Sequence, residues 1–410
     1  MVSMKKQIVE VFWINFPLLQ TKYSYLDNQA TTPMDPRVLE KMIPYMTSAY
    51  ANCHSQHQAG RTVAQAVEEG RAHVAKVINA QPNEVIFTSG ATESNNIAIK
   101  GVAKYYGHEK DHVITSKIEH KCVLESVRSL EAEGFNAHYV GVDTDGRLKM
   151  DELTDILKTH SGKVSLVSVM GANNEVGVVQ DLKKIGQLAH DHKALFHTDC
   201  AQMVGKKPLD VRADNIDLMS ISGHKMYGPK GVGALFINKK NRVRLVPLTV
   251  GGGQENNLRS GTVPVFLCVG MGAAAEILET EMPKDIKHYE ELTKYALEQL
   301  KDVKQMTLNG STTDRIASNL NVSFIGVEGE SLMLAIDDKV AVSTGSACTS
   351  QSLEPSHVLH AMGLGPEAAH TAVRIGFGRF TTKEDVKNGM DTIKQEVNRL
   401  REISCLWEEK

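Results

Sequence analysis

Charge of one sign is what this chain lacks most: 46 Lys and Arg stand against 49 Asp and Glu, a formal net charge of −3. So small a balance gives no general attraction to nucleic acid or to an anionic membrane surface, and neither is expected as a partner. Cysteine is sparse and scattered. Cys53, Cys122, Cys200, Cys268, Cys348 and Cys405 include no Cys-x-x-Cys pair. Neither a disulfide framework nor a closed zinc site is signalled, and a reducing compartment is the natural setting. Cys53-His54 with His57 is at most half of a metal site, and no intrinsic metal is expected. Long apolar runs are missing too. The longest, Val263 to Ala275, is too short for a bilayer, ends at Glu276 and reads as a buried helix. There is no internal repeat or low-complexity tract. The leader before Tyr25 lacks the Arg and Ser richness of a transit peptide and any plain signal-cleavage pattern.

What is present is ordinary for a soluble globular protein: 41% apolar and 23% charged residues over 410 positions, enough for two domains. From Glu84 onward short apolar runs alternate with longer amphipathic stretches. Val85–Phe87, Val113–Thr115, Val164–Met170, Ala194–Thr198, Leu218–Ser220 and Val232–Ile237 read as strands. Ser94–Lys104 and Leu182–His190 read as helices between them. This rhythm predicts an α/β fold with a mostly parallel sheet covered on both faces, and ligands at the strands' carboxyl ends. After Glu281 the rhythm shifts to helices with fewer strands (Val322–Ile325, Val340–Ser343, Val373–Phe377). The last helix sets Val386, Met390, Ile393, Val397, Leu400 and Ile403 in one stripe. A large domain over 35–281 and a smaller α+β domain over 1–34 and 282–410 are expected.

Chemistry gathers at the predicted strand ends. Ser222-Gly223-His224-Lys225 follows one strand, and a lysine desolvated there becomes an imine former and proton shuttle. Ser222 and His224 would donate to a phosphate. No Gly-x-x-x-x-Gly-Lys-Ser/Thr is present, so a nucleotide P-loop does not fit. Asp199, just past another strand, suits the ring nitrogen of pyridoxal phosphate, whose protonated pyridinium is an electron sink. Gln202 would reach its phenolic oxygen. Taken singly, Asp199 is equally a helix cap. Thr88-Ser89-Gly90-Ala91-Thr92 opens a helix, where small residues and the dipole favour an anion. His120 is a candidate for stacking on a flat ring. Cys348, among Ser, Thr, Gly and Ala, suits an exposed moving loop better than a packed core.

On these residues the chain resembles the cysteine desulfurases of the housekeeping iron–sulfur-cluster type, within the class V, fold type I, pyridoxal-phosphate enzymes. The likeness runs from Tyr25 to Trp407. It includes Ala30-Thr31-Thr32-Pro33, Gly90-Ala91-Thr92-Glu93-Ser94-Asn95-Asn96 and Asn173-Asn174-Glu175-Val176-Gly177. Ser222-Gly223-His224-Lys225, Arg259-Ser260-Gly261-Thr262 and Gly345-Ser346-Ala347-Cys348-Thr349-Ser350 continue it. The resemblance implies that Lys225 holds the cofactor as a Schiff base and that Ala91, Thr92, Ser222 and His224 bind its phosphate. Asn174, Asp199 and Gln202 would contact the cofactor, with His120 over the ring. Arg374, with Asn174, would bind the substrate carboxylate. Thr262 would reach the phosphate of the other subunit's cofactor in a homodimer. Cys348 would carry sulfur from L-cysteine as a persulfide, leaving alanine, and pass it to an iron–sulfur scaffold with which it would transiently share a 2Fe-2S cluster. Small accessory and frataxin-like proteins are further implied partners.

Three departures stand out. Cys53 replaces a usual proline, Gln254-Glu255-Asn256-Asn257 lacks the usual basic residue, and the chain stops soon after Trp407, where relatives carry a tail that docks the scaffold. Tyr25-Leu26-Asp27-Asn28-Gln29-Ala30-Thr31-Thr32 and Glu119-His120-Lys121-Cys122-Val123-Leu124 look closer to the mitochondrial than to the bacterial members. A mitochondrion or mitochondrion-derived organelle is therefore expected, with the cytosol as alternative. Selenocysteine lyase and a catalytically silent pyridoxal-phosphate scaffold are the rival functions.

Overall fold

The computed structural model describes residues 23–344, 356–404 and 407. Its twelve strands in chain order are β1 (Ser24–Tyr25), β2 (Val85–Thr88), β3 (His112–Ser116), β4 (Asn136–Val140), β5 (Val164–Ser168) and β6 (Leu195–Asp199). They continue with β7 (Leu218–Ser222), β8 (Gly233–Ile237), β9 (Met306–Leu308), β10 (Asn319–Phe324), β11 (Val340–Ala341) and β12 (Ala372–Gly376). Seven of them form one sheet in the order β2-β8-β7-β6-β5-β3-β4. Only β8 runs against its neighbours; the other six are parallel to one another.

Both faces of this sheet are covered, and the side chains divide accordingly. Val85 and Phe87 of β2 and Ala234 and Phe236 of β8 join one core. Ile86, Leu235 and Ile237, the residues between and beside them, join another on the opposite face. Alternation of apolar with apolar is the mark of a strand buried on both sides. β4 escaped the sequence reading for the converse reason. It is an edge strand whose Asn136, Ala137, His138 and Tyr139 are not buried, so it carries no apolar signal.

The second packing unit is the antiparallel sheet β12-β10-β9 with the helix Lys383–Ile403. A capping box between Thr382 and Asp385 starts that helix. Val386, Met390, Ile393 and Val397 are buried together with Leu320, Val322 and Phe324. The stripe ends sooner than its period suggests, because Ile403 is 72% exposed. The apolar run at 263–275 lies mostly in a 36-residue helix, Val265–Leu300, that passes Glu281 unbroken. Its first half packs Met271, Ala274 and Leu278 into the large core; its second half packs Leu292, Ala296 and Leu300 into the small one. Leu26, near the described N-terminus, packs into the small core. Among the described residues no helix is long and apolar enough to cross a membrane.

Candidate active site

Five parallel strands end on the same edge of the large sheet, and each leads to a residue lining one cavity of about 500 Å³. β2 leads to Gly90, β3 to His120, β5 to Asn174, β6 ends at Asp199, and β7 ends at Ser222 and delivers Lys225. Ala91, Thr92, Gln202, His224 and Arg374 line the same cavity. Thr262 does not line it and is exposed on the surface. Cys348 lies outside the described residues.

The anion cradle comes from backbone geometry. Gly90 caps the helix Ala91–Tyr106 at φ 153 with no side-chain hydrogen bond to the first turn. A Cβ there would meet nothing within 4 Å, so the space before the helix is open. Behind it β8 begins so close that a Cβ on Gly233 would stand 2.6 Å from the Gly90 Cα. The helix N-terminus thus presents unpaired N–H groups and the positive end of its dipole to the cavity. β2 is pinned from behind. Buried Glu255 accepts from Phe87 N at 2.7 Å and pairs with Arg71 at 2.6 Å. Glu255, Asn256 and Asn257 all have positive φ, which explains asparagines where the family resemblance leads one to expect a basic residue.

Lys225 Nζ donates to the carbonyl of Ala30 at 2.8 Å and to that of Gln29. Both of these acceptors are uncharged carbonyls, and the amine stands at the wall of the cavity. Beside it, burial and then the Lys225 charge push the His224 imidazole down to about 4, so it is neutral at physiological pH. His224 Nδ1 lies 3.1 Å from Thr31 Oγ1. Asp199 is 5% exposed and accepts from Asn95 Nδ2 at 2.7 Å and Ala201 N at 2.9 Å. A carboxylate has about four lone-pair sites, so it retains capacity toward the cavity.

Arg374, on β12, is 3% exposed and ion-pairs with Asp27 at 2.9 Å. It also donates to the Asn174 carbonyl at 3.0 Å. Its Nε is buried without a partner among the described residues. A buried guanidinium with unused N–H groups on a cavity wall fits an incoming carboxylate. The termini of the undescribed 345–355 segment flank the same wall. Ser343 exchanges backbone hydrogen bonds with Arg374 and donates its hydroxyl to Asp27. Ser356 donates to Glu175 and His357 lies 3.0 Å from the Glu119 carbonyl, beside Asn174 and His120 respectively.

Several participants carried no sequence signal of their own. Cys122 lines the cavity, 3.0 Å from His120 Nδ1 and 3.1 Å from Asn95 Nδ2. Lys206 is 4% exposed, and its Nζ donates to Gln202 Oε1 at 2.9 Å. Burial, with lesser repulsion from Lys225 and Arg374, pushes its amine down to about 7. Gln202 Nε2 donates to the Gln29 carbonyl at 2.9 Å, so its amide is already engaged on both sides. Burial raises Glu119 to about 8 against the hydrogen bonds from Ser116 and Met170. Gln202 was expected from the sequence; proximity across strands reveals the roles of Cys122, Lys206 and Glu119.

A lysine amine, an acidic residue, an anion cradle and a carboxylate clamp on one α/β sheet edge define a pyridoxal-phosphate site. The sequence pattern described as "Aminotransferase class-V" matches residues 24–388. The chain belongs to that family, whose members are pyridoxal-phosphate enzymes. It is 54% identical over 386 residues to "Cysteine desulfurase IscS" of Rickettsia africae, covering 94% of this chain and 93% of that protein. Among solved structures it is similar to a "NifS-like protein" (TM-score 0.85, 36% identity, 92% of this chain and 100% of that one). "SspA in complex with cysteine" is also similar (TM-score 0.78, 36% identity, 88% and 100%).

Proposed function

We propose that this chain is a pyridoxal-phosphate-dependent cysteine desulfurase, converting L-cysteine to L-alanine with transfer of sulfur to Cys348. The observation that carries the reading is the meeting of Lys225, Asp199 and Arg374 on one cavity. The residues fit the cofactor: an open helix N-terminus for its phosphate, a carboxylate for its ring nitrogen, an amine for its aldehyde. When bound, pyridoxal phosphate supplies an electron sink that acidifies the substrate Cα–H and loosens the bond to sulfur.

The chain's own groups do the rest. Arg374 binds the substrate carboxylate and fixes its orientation. Asp199 holds the proton on the ring nitrogen. Lys225 takes the Cα proton and returns one to the product. His120, capping the helix Lys121–Ala132, bounds the ring's face. The Cys348 thiolate attacks the substrate's sulfur. Sulfur leaves carbon for thiolate, the carbon gains a proton, and the products are alanine and a persulfide.

Further parts of the reading follow the resemblance. Thr262 serves a partner subunit's phosphate in a homodimer. An iron–sulfur scaffold accepts the persulfide sulfur, with accessory and frataxin-like proteins assisting. The compartment is a mitochondrion or a mitochondrion-derived organelle, tested by imaging a tagged chain lacking residues 1–24. For activity itself, alanine and sulfide are measured with L-cysteine and with L-selenocysteine as substrates. Preference for selenocysteine, or absence of alanine, would replace this reading.

A further inference from the structure

A second cluster of functional side chains lies at the opposite edge of the sheet. His112 opens β3, His138 sits in the middle of β4, and His160 ends the helix Met150–Thr159. In the parallel register His112 pairs with Asn136 and Ile114 with His138, so the two histidines are diagonal neighbours on one face. Backbone bonds bring in the third: His112 N donates to the Lys163 carbonyl at 3.0 Å, and Lys163 N donates to the His160 carbonyl at 2.9 Å. Ser165 Oγ donates to the His112 carbonyl at 3.0 Å. The rings of His112 and His138 lie 4.2 and 4.7 Å from that of His160.

We infer that His112, His138 and His160 form a binding site for an imidazole-preferring divalent transition metal, Zn²⁺ in the first instance. One nitrogen from each ring lies within 4.8 Å of the other two, and His112 Nδ1 is 2.8 Å from His138 Nε2. Tetrahedral zinc with bonds of about 2.0–2.1 Å needs its nitrogens about 3.4 Å apart, a value the observed separations bracket. The ring planes lie 8° apart for His112 and His138 and 30° and 32° from that of His160, so the side chains must turn for the three lone pairs to converge on one ion. The far nitrogen of His112 lies 3.8 Å from Asp111, beyond hydrogen-bond distance but near enough for this carboxylate to accept from it once the ring turns toward a metal. His138 and His160 are only partly buried, which leaves a fourth position for water.

This is the one group of three or more His, Cys, Asp or Glu with ligand spacing among the described residues. None of its members lines the catalytic cavity. The five residues of β3 separate it from the turn leading to His120, roughly 15 Å of extended chain. The metal therefore acts as a clip joining edge strand β4 to β3 and to a helix end, not as a participant in sulfur transfer. By contrast, Cys53 Sγ lies 3.3 Å from Nδ1 of its neighbour His54 and packs against the large core, and His57 Nδ1 caps the helix Gln58–Val77, accepting from Gly60 N at 3.1 Å.

The test uses full-length enzyme loaded with cofactor and titrated with ZnCl₂ against a chromophoric chelator, followed by zinc analysis and X-ray absorption. One zinc per chain, with a nearest shell of nitrogen and oxygen only, is expected. His138→Gln and His160→Gln should each weaken binding at least ten-fold, and Asp111→Asn about ten-fold, at unchanged cofactor absorbance. Sulfur in the nearest shell, equal affinity in the histidine variants, or no zinc retained by the unaltered protein would each show a hydrogen-bonded imidazole trio and nothing more.

Discussion

Replacing Arg374 by lysine tests the substrate clamp while keeping a cation against Asp27. An alanine would be a poor choice: Asp27 would lose its ion-pair partner beside a buried site, with a folding cost of about 3–5 kcal/mol. Arginine uses one N–H on Asp27 and one on the Asn174 carbonyl, keeping others for a carboxylate. Lysine has three N–H groups on a single nitrogen and cannot span both walls and a two-oxygen ligand. Loss of one charge-assisted bond, roughly 1.5–3 kcal/mol, predicts a fall in kcat/KM of about thirty-fold, carried mainly by KM. Alanine formation is followed at varied cysteine, with cofactor content fixed by absorbance. Cysteamine, which lacks the carboxylate, supplies the second arm. The unaltered enzyme should lose a comparable factor on cysteamine, and the Arg374→Lys variant should lose little more. Independent, additive losses would remove Arg374 from carboxylate recognition.

Asp199→Asn should retain cofactor colour yet lower kcat by roughly 100-fold or more, because a neutral amide cannot hold the ring-nitrogen proton; near-normal turnover would contradict its role. Gly90→Ala forces a side chain onto φ 153, costing about 1–3 kcal/mol, and should weaken cofactor retention in dialysis with little change in the rate of the loaded enzyme. Lys206→Met carries a pH signature. The folded amine titrates near 7 and the unfolded one at 10.5, so below pH 7 both are charged and the burial cost is felt in full. Between 7 and 10.5 only the unfolded chain holds the extra proton, and native stability rises with pH. The variant should be more stable than its parent below pH 7, with the advantage shrinking by up to about 1.4 kcal/mol per pH unit above it. A pH-independent difference in chemical denaturation would show that Lys206 is charged when folded.

The central sheet was legible because its strands are apolar on both faces and end in polar turns, a contrast visible residue by residue. β4 was not, since an edge strand of Asn, His and Tyr resembles a loop. The expected boundary at Glu281 falls inside one continuous helix, Val265–Leu300, because a helix can leave one core and enter another without altering its own bonds. Lys225 and Asp199 were singled out by their places just past predicted strands and Arg374 through the family resemblance; all three line one cavity. Cys122 and Lys206 were missed since their significance is a position across strands. The histidine trio was hidden by separations of 26 and 22 positions, which parallel pairing and a returning helix erase. Glu255, within the polar run Gln254-Glu255-Asn256-Asn257, is a buried anchor for Arg71 that no apolar signal announces.

Two thiols bear on the cavity question: Cys122, which lines it, and Cys348, on the segment whose described flanks meet Arg374 and Glu175. Incubating the cofactor-loaded protein with L-cysteine and locating the added sulfur by peptide mass spectrometry tells them apart. One extra sulfur on Cys348, absent from Cys348→Ala and undiminished in Cys122→Ser, is the result this account requires. Sulfur residing on Cys122, or alanine appearing at full rate from Cys348→Ala, would contradict it.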